Sequence, residues 1–182
     1  MKIRKKINLK MIVTGMSRHG KDTMCEYLRD NHGINFAASS YTACEIFLYE
    51  KLKDEFGYKS LEECFEDRLN HKERWYTEIK DFNTPDLARL GKHIFKKAPT
   101  YCGIRDDEEL EELKATEGID LIVWVDASKR KPPQSANSMK LNKSCADVTL
   151  DNNGTLEEFH ETIETFYQRK LKPIILENQS KK

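Results

Sequence analysis

Nine consecutive residues constrain this chain more than any other feature: Gly15-Met16-Ser17-Arg18-His19-Gly20-Lys21-Asp22-Thr23. They satisfy G-x-x-x-x-G-K, and the flanks are those the motif requires. Residues 8–14 read as a buried strand, with Leu9, Met11, Ile12 and Val13 clustered ahead of Gly15. Residues 21–29 carry Met24, Cys25 and Leu28 at helical spacing. A strand that turns through glycines into a helix aims successive backbone N–H groups at one point and adds the positive end of the helix dipole. Residues 15–23 are therefore the candidate cradle for the phosphates of ATP, with Lys21 supplying charge near the β- and γ-phosphates. Where the usual pattern has Ser or Thr after the lysine, this chain has Asp22 and then Thr23. A carboxylate is a hard-oxygen ligand suited to Mg2+, so Asp22 is the candidate metal contact, direct or through water. The alternative is a carboxylate that only offsets the helix dipole.

The rest of the chain alternates strands and helices. A break at 31–33 leads to a short strand at 34–38, and residues 41–56 are helical by period, stopping at Gly57. Ser60 and Glu63 have the spacing of a capping box. A charged helical stretch follows at 70–82, and Thr84-Pro85 predicts the start of another helix, with Thr as N-cap. Strands are expected at 99–104, 119–125 and 146–150, the first two separated by an acidic helix at 107–116. Residues 128–143 have no usable period and read as a loop, 155–170 as a last amphipathic helix, and 178–182 as a frayed tail. This alternation predicts an α/β fold, a parallel sheet flanked by helices. The stretch 41–97, helical and without a strand, is then an insertion at one edge of the sheet.

Composition excludes several classes. Lys+Arg and Asp+Glu are both 31, so the net charge is zero, and a binder of nucleic-acid polymers or anionic lipid would carry a basic excess. The apolar runs are strand-sized, far below the ~20 residues of a membrane helix. The basic N-terminus lacks an apolar stretch and cleavage site, so no signal peptide is read there. The five cysteines are odd in number and form no C-x-x-C pair, which fits reduced thiols in a cytoplasmic protein.

The G-x-x-x-x-G-K-D-T segment resembles the deoxynucleoside monophosphate kinases of tailed bacteriophages. Other segments agree in order: Asp67-Arg68-Leu69-Asn70-His71-Lys72-Glu73-Arg74-Trp75, Cys102-Gly103-Ile104-Arg105 with Glu108-Glu109-Leu110 after it, 120–126, and 151–158. The likeness spans residues 11–167. It implies a single P-loop nucleotide-kinase domain of adenylate-kinase-like fold, with a core at about 8–40 and 98–170, a helical NMP-binding insertion at about 41–97 and a lid at about 128–143. It also implies phosphate transfer from ATP, with Mg2+, to a deoxynucleoside monophosphate in the host bacterial cytoplasm, and it leaves homodimer formation open. The nearest enzyme rival is a dephospho-coenzyme A kinase; from another class, the rival is a nucleotide-binding regulatory protein without turnover. Related sequences often carry an acidic residue where this chain has Gly103, so that metal-water contact either comes from elsewhere, with Asp106 the candidate, or is absent.

Phosphoryl transfer wants cations around a charge spread over several oxygens. Lys21, Arg18, Arg105 and, in the lid, Arg130 are the candidate catalytic cations. Arg105 ends a strand at the edge where open sheets hold ligands. Lys129, Arg130 and Lys131 precede Pro132-Pro133-Gln134-Ser135 and form either the lid cluster or a solvated linker. Arg68, Arg74 and Trp75, with Arg105, are the candidate acceptor contacts, since Arg pairs bidentately with phosphate and Trp stacks on a base. The alternatives are a surface network of Arg68 with Glu66 and Asp67, and Trp75 as a core anchor. Asp126, at another strand's carboxyl end, reads equally as a helix cap or loop contact and as a catalytic carboxylate, and Asn153-Gly154 reads as a turn that could border adenine. His19 sits in a variable slot of the loop, where a general base is not needed.

Overall fold

Alternation of short apolar strands with amphipathic helices dictates a sheet buried on both faces. In a computed structural model, which describes residues 7–132 and 139–181, five strands form one parallel sheet in the order β2-β3-β1-β4-β5. They are β1 (Met11–Thr14), β2 (Phe36–Ala38), β3 (Thr100–Cys102), β4 (Leu121–Asp126) and β5 (Val148–Asp151). β1 lies between β3 and β4, with Met11 in register with Thr100 on one side and Leu121 on the other. The chain thus leaves β1 toward one edge, returns to β3, and then crosses to β4. That reversal opens a crevice at the carboxyl ends of β1, β3 and β4, where ligands of open α/β sheets bind.

Two apolar clusters cover the two faces. On one, α1 (Lys21–His32) and α8 (Leu156–Phe166) bury Met24, Cys25, Leu28, Phe159 and Ile163 against Met11, Val13 and Val123. On the other lie the helices between β2 and β3 together with α7 (Asp107–Glu117), whose Leu110 and Leu113 join Ile12, Tyr101 and Ile122. Those intervening helices are α2 (Ser39–Ala43), continued through a π-helical turn at Cys44–Leu48 into α3 (Tyr49–Phe56), then α4 (Leu61–Asp67), α5 (Lys72–Phe82) and α6 (Arg89–Lys97). Among the described residues 39–97 no strand interrupts them, as the period implied. Gly57 ends α3 at φ +73°.

Four local expectations change. Ser60 caps α4 by accepting the Glu63 N–H, but the Glu63 carboxylate takes the Lys59 N–H, so the reciprocal half of the box is shifted by one residue. Thr84-Pro85 does not open a helix. Asp86 accepts the Ala88 N–H and Asn83 Oδ1 accepts the Leu90 N–H, and α6 starts at Arg89. The helix beginning at 156 passes through a π turn (Tyr167–Leu171) into α9 (Lys172–Ser180). The tail is not frayed at Asn178: Asn178 and Asn8 exchange two side-chain to backbone hydrogen bonds, and Asn178 also donates to Asp120. No helix among the described residues is long and apolar enough to cross a membrane.

Candidate functional site

The glycine loop forms as its sequence requires. Gly15 leaves β1 at φ +142°, and a Cβ there would sit 2.5 Å from the Val125 carbonyl oxygen. Gly20 has φ +98°, and a Cβ would fall 2.3 Å from Asn152 Nδ2. A side chain at Gly15 would have to move the β4 backbone, and one at Gly20 would displace the Asn152 side-chain amide, both at positive φ. Arg18 takes the left-handed conformation at φ +62°, the only described non-glycine residue to do so. Lys21 folds back over the loop and donates to the Met16 carbonyl at 2.7 Å. Burial lowers its ammonium pKa below the ordinary lysine value, and the Arg105 guanidinium pushes the same way.

A cavity of about 430 Å³ opens between this loop and the helices between β2 and β3. Ser17, Arg18, Lys21 and Asp22 form its loop side, Arg68, Lys72, Trp75 and Tyr76 its helical side, and Cys102, Gly103, Arg105, Asp106 and Glu109 its floor. Leu69 and Leu87 are exposed apolar residues among those that line it. Residues separated by more than eighty positions therefore meet at the crevice the topology opens. Arg105 has its pKa lowered by burial first and then by the neighbouring Arg68. Arg68 disfavours the charge on Arg105, and Arg105 that on Lys21, so the three form a chain of cations. Arg68 stacks 3.8 Å above the Phe65 ring and donates to the Phe65 carbonyl. Asp67 is not its partner, being engaged by Tyr58, Asn70 and His71.

Trp75 is both wall and anchor. It lines the cavity and is 4% exposed, and its Nε1 has no partner among the described residues. Arg74 is not brought to the cavity. Neighbours on a helix point about 100° apart, and Arg74 turns outward to Glu55 at 3.0 Å and Glu78 at 3.2 Å. Glu78 is buried and also meets Lys51, so the two cations tie α3 to α5.

Asp22 is exposed at the cavity edge and accepts a hydrogen bond from the Cys102 thiol at 3.5 Å. Its oxygens suit Mg2+, while no cluster of three His, Cys, Asp or Glu exists among the described residues. A magnesium ion here would draw its remaining ligands from nucleotide phosphates and water, as this metal commonly does. Asp106, the candidate substitute for the acidic residue absent at Gly103, lines the cavity while one oxygen caps α7 through the Glu109 N–H and the other accepts from the Tyr76 hydroxyl. Gly103 instead packs on Ser39, which donates to its carbonyl at 3.0 Å.

Glu109 was not legible as a site residue. It lies in an acidic helix, one position before Leu110 on the buried face, and only the turn back onto β3 places it under Tyr101. It is 4% exposed, accepts the Tyr101 hydroxyl at 2.9 Å, and burial raises its pKa to about 8.

The far side of the loop is closed by the ends of β4 and β5. Asn152 Nδ2 donates to the His19 carbonyl at 2.8 Å, and Asn153 Oδ1 accepts the Lys129 N–H. Asn152 and Asn153 thus hold the glycine loop and the basic turn together. Asp126 makes a loop contact, accepting the Ser128 N–H at 2.9 Å. Of the expected lid at 128–143, residues 128–132 and 139–143 are described. Residues 127–131 form a turn through hydrogen bonds of Arg130 and Lys131 N–H to the Ala127 carbonyl. Arg130 Nε is held by the Asn152 carbonyl at 2.6 Å. At the other end Met139 and Leu141 are buried and the Lys140 N–H bonds the Arg105 carbonyl. Pro133, Gln134 and Ser135 lie outside the described residues.

No family model matches the sequence, and no curated protein matches it. Among solved structures, a gluconokinase from Sinorhizobium meliloti 1021 aligns over 95% of this chain and 99% of its own, with a TM-score of 0.53 and 14% identity. TT1252 from Thermus thermophilus covers 91% of this chain and 99% of its own at TM-score 0.47 and 18% identity. A sugar kinase from Janibacter sp. HTCC2649 covers 89% and 95% at TM-score 0.45 and 15% identity. The first of these likenesses establishes a shared α/β fold with a parallel sheet flanked by helices.

Proposed function

We propose that this protein is an ATP-dependent kinase that phosphorylates a deoxynucleoside monophosphate. The observation that carries the reading is the row of cations Arg68, Arg105 and Lys21, which runs from the inserted helices to the glycine loop along one cavity. Cations that disfavour each other are stabilised by an anion between them, and a phosphoryl group passing from one phosphate to another needs them spaced in that way. The kinase class fits the fold shared with the gluconokinase; the acceptor follows from the resemblance in sequence.

In this reading the loop amides and Lys21 hold the ATP phosphates, and Arg68 and Arg105 hold the acceptor phosphate. An acceptor oxygen attacks the γ-phosphorus in line, the bond to the β,γ-bridging oxygen breaks, and ADP departs with that electron pair. Magnesium bound with ATP at Asp22 would neutralise phosphate charge. Trp75 offers the acceptor base an aromatic wall. Arg18 adds charge on the loop side, while Lys129, Arg130 and Lys131 act from the basic turn.

An ADP-release assay with Mg-ATP and a panel of dNMPs, dephospho-coenzyme A and gluconate tests this. Release with dNMPs is expected. Release only with one of the other acceptors reassigns the substrate, and ATP binding without release on any acceptor leaves a nucleotide-binding protein.

A further inference from the structure

His19 belongs to the glycine loop by sequence, yet it is not among the residues that line the cavity. It is 2% exposed, and Nδ1 accepts the Ala127 backbone N–H at 3.0 Å. The Asp126 carboxylate lies 3.9 Å from the same nitrogen. The His19 carbonyl is held by Asn152 Nδ2, and the Asn152 N–H donates to the Asp126 carbonyl at 2.7 Å. Asn152 also binds Arg130 through its own carbonyl. A single loop residue thus ties together the end of β4, the turn after β5 and the basic turn at 127–131.

The Ala127 bond fixes the state of the ring. A backbone N–H only donates, so Nδ1 must be unprotonated, and a neutral imidazole then carries its proton on Nε2. Nε2 is buried without a partner among the described residues. A second proton would set an N–H of the ring against the Ala127 N–H. Burial opposes that proton most strongly, Asp126 at the end of β4 favours it next, Lys21 from α1 opposes it, a hydrogen bond to the Val125 backbone favours it, and Arg130 from the basic turn opposes it; the sum lowers the pKa.

We propose that His19 is a positioning residue: in its neutral, Nε2-protonated form it clamps the phosphate loop to β4 and the basic turn, and protonation of Nδ1 releases the clamp and weakens nucleotide binding. His19 touches no reacting group; it acts through the loop backbone whose N–H groups face phosphate. The effect on binding rests on residues 15–23 being the phosphate cradle, whereas the clamp itself does not.

Two variants and one nucleotide-free measurement test it. His19→Asn offers an amide oxygen near the place of Nδ1 and does not titrate; His19→Leu removes the acceptor at similar volume. In ¹⁵N-histidine NMR spectra of the free wild type, His19 is expected as the Nε2–H tautomer at neutral pH. It should gain its second proton below the ordinary histidine range, with the Ala127 amide shifting at the same midpoint. In calorimetric ATP titrations across that range, the wild type should lose about tenfold more affinity than His19→Asn, the worth of one buried hydrogen bond. His19→Leu should bind about tenfold more weakly at every pH while melting cooperatively. An Nδ1–H tautomer, an Ala127 amide indifferent to the His19 midpoint, or an Asn variant with the full acid-side loss overturns the proposal. Absence of ATP binding by the wild type at any pH overturns the nucleotide reading instead, and the NMR arm still decides the clamp.

Discussion

Replacing Glu109 by Gln isolates the cost of one buried carboxyl, because Gln keeps the shape and still accepts the Tyr101 hydroxyl. Burial raises the Glu109 pKa from the ordinary 4.5 to about 8. At pH below about 4.5 the group is protonated in both the folded and unfolded chain and contributes no pH dependence. As pH rises from there to about 8, the unfolded chain releases the proton while the folded chain keeps it, so wild-type stability falls. At about 1.4 kcal/mol per pKa unit, the full loss across that window is about 5 kcal/mol. Glu109→Gln has no proton to release. Its stability should equal that of the wild type near pH 4.5 and exceed it by several kcal/mol above pH 8, with no further divergence. For a chain of this length that corresponds to a Tm advantage of about 10–20 °C on the alkaline side. Urea or thermal melts of both proteins from pH 4.5 to 9 measure the difference directly. Parallel stability profiles would refute the assignment of Glu109 as a neutral acid on the cavity floor.

Three further outcomes are expected. Lys21→Ala should lower turnover by at least about 10²-fold, the scale of losing one preorganised contact to developing charge, with unchanged circular dichroism; near-wild-type turnover in the folded variant would sink the loop assignment. Asp22→Asn should raise the magnesium concentration needed for half-maximal turnover while ATP binding in EDTA stays the same, and an unchanged midpoint would leave Asp22 as a helix cap. Arg68→Ala should raise the acceptor KM by about tenfold to a hundredfold, the range for a hydrogen bond to a charged group. Arg74→Ala should leave that KM alone and lower the melting temperature by weakening the tie at Glu78; equal KM effects in the two variants would contradict the separation of their side chains.

The glycine loop at 15–23 was legible because its cause is local. Gly15 and Gly20 sit where backbone at positive φ must pass other atoms, so the glycines announce the geometry wherever they occur between a strand and a helix. The parallel sheet was legible for a similar reason: period and length of the apolar runs depend on neighbours along the chain. Helix boundaries near 84–90 were not, because Asp86 and Asn83 compete with Thr84 for capping, and the outcome depends on how α6 seats against α5. Residues 178–182 read as a frayed tail because the anchor of this end, the Asn8–Asn178 pair, joins residues 170 positions apart.

Sequence alone determined that residues 15–23 form a glycine loop between a strand and a helix, and that a helical block separates the second strand from the third. Tertiary structure decided which charges meet there. Arg68 and Arg74 look alike in sequence, yet one lines the cavity and the other pairs with Glu55 and Glu78. Glu109 is one of many acidic residues until burial beneath Tyr101 removes its water. His19 is one more residue of a variable loop until Ala127 and Asn152, more than a hundred positions away, take up its ring and its carbonyl. The physical reason is common to all three. Secondary structure depends on neighbours along the chain, whereas the charge and hydrogen bonding of a side chain depend on the dielectric and partners that only the folded chain supplies.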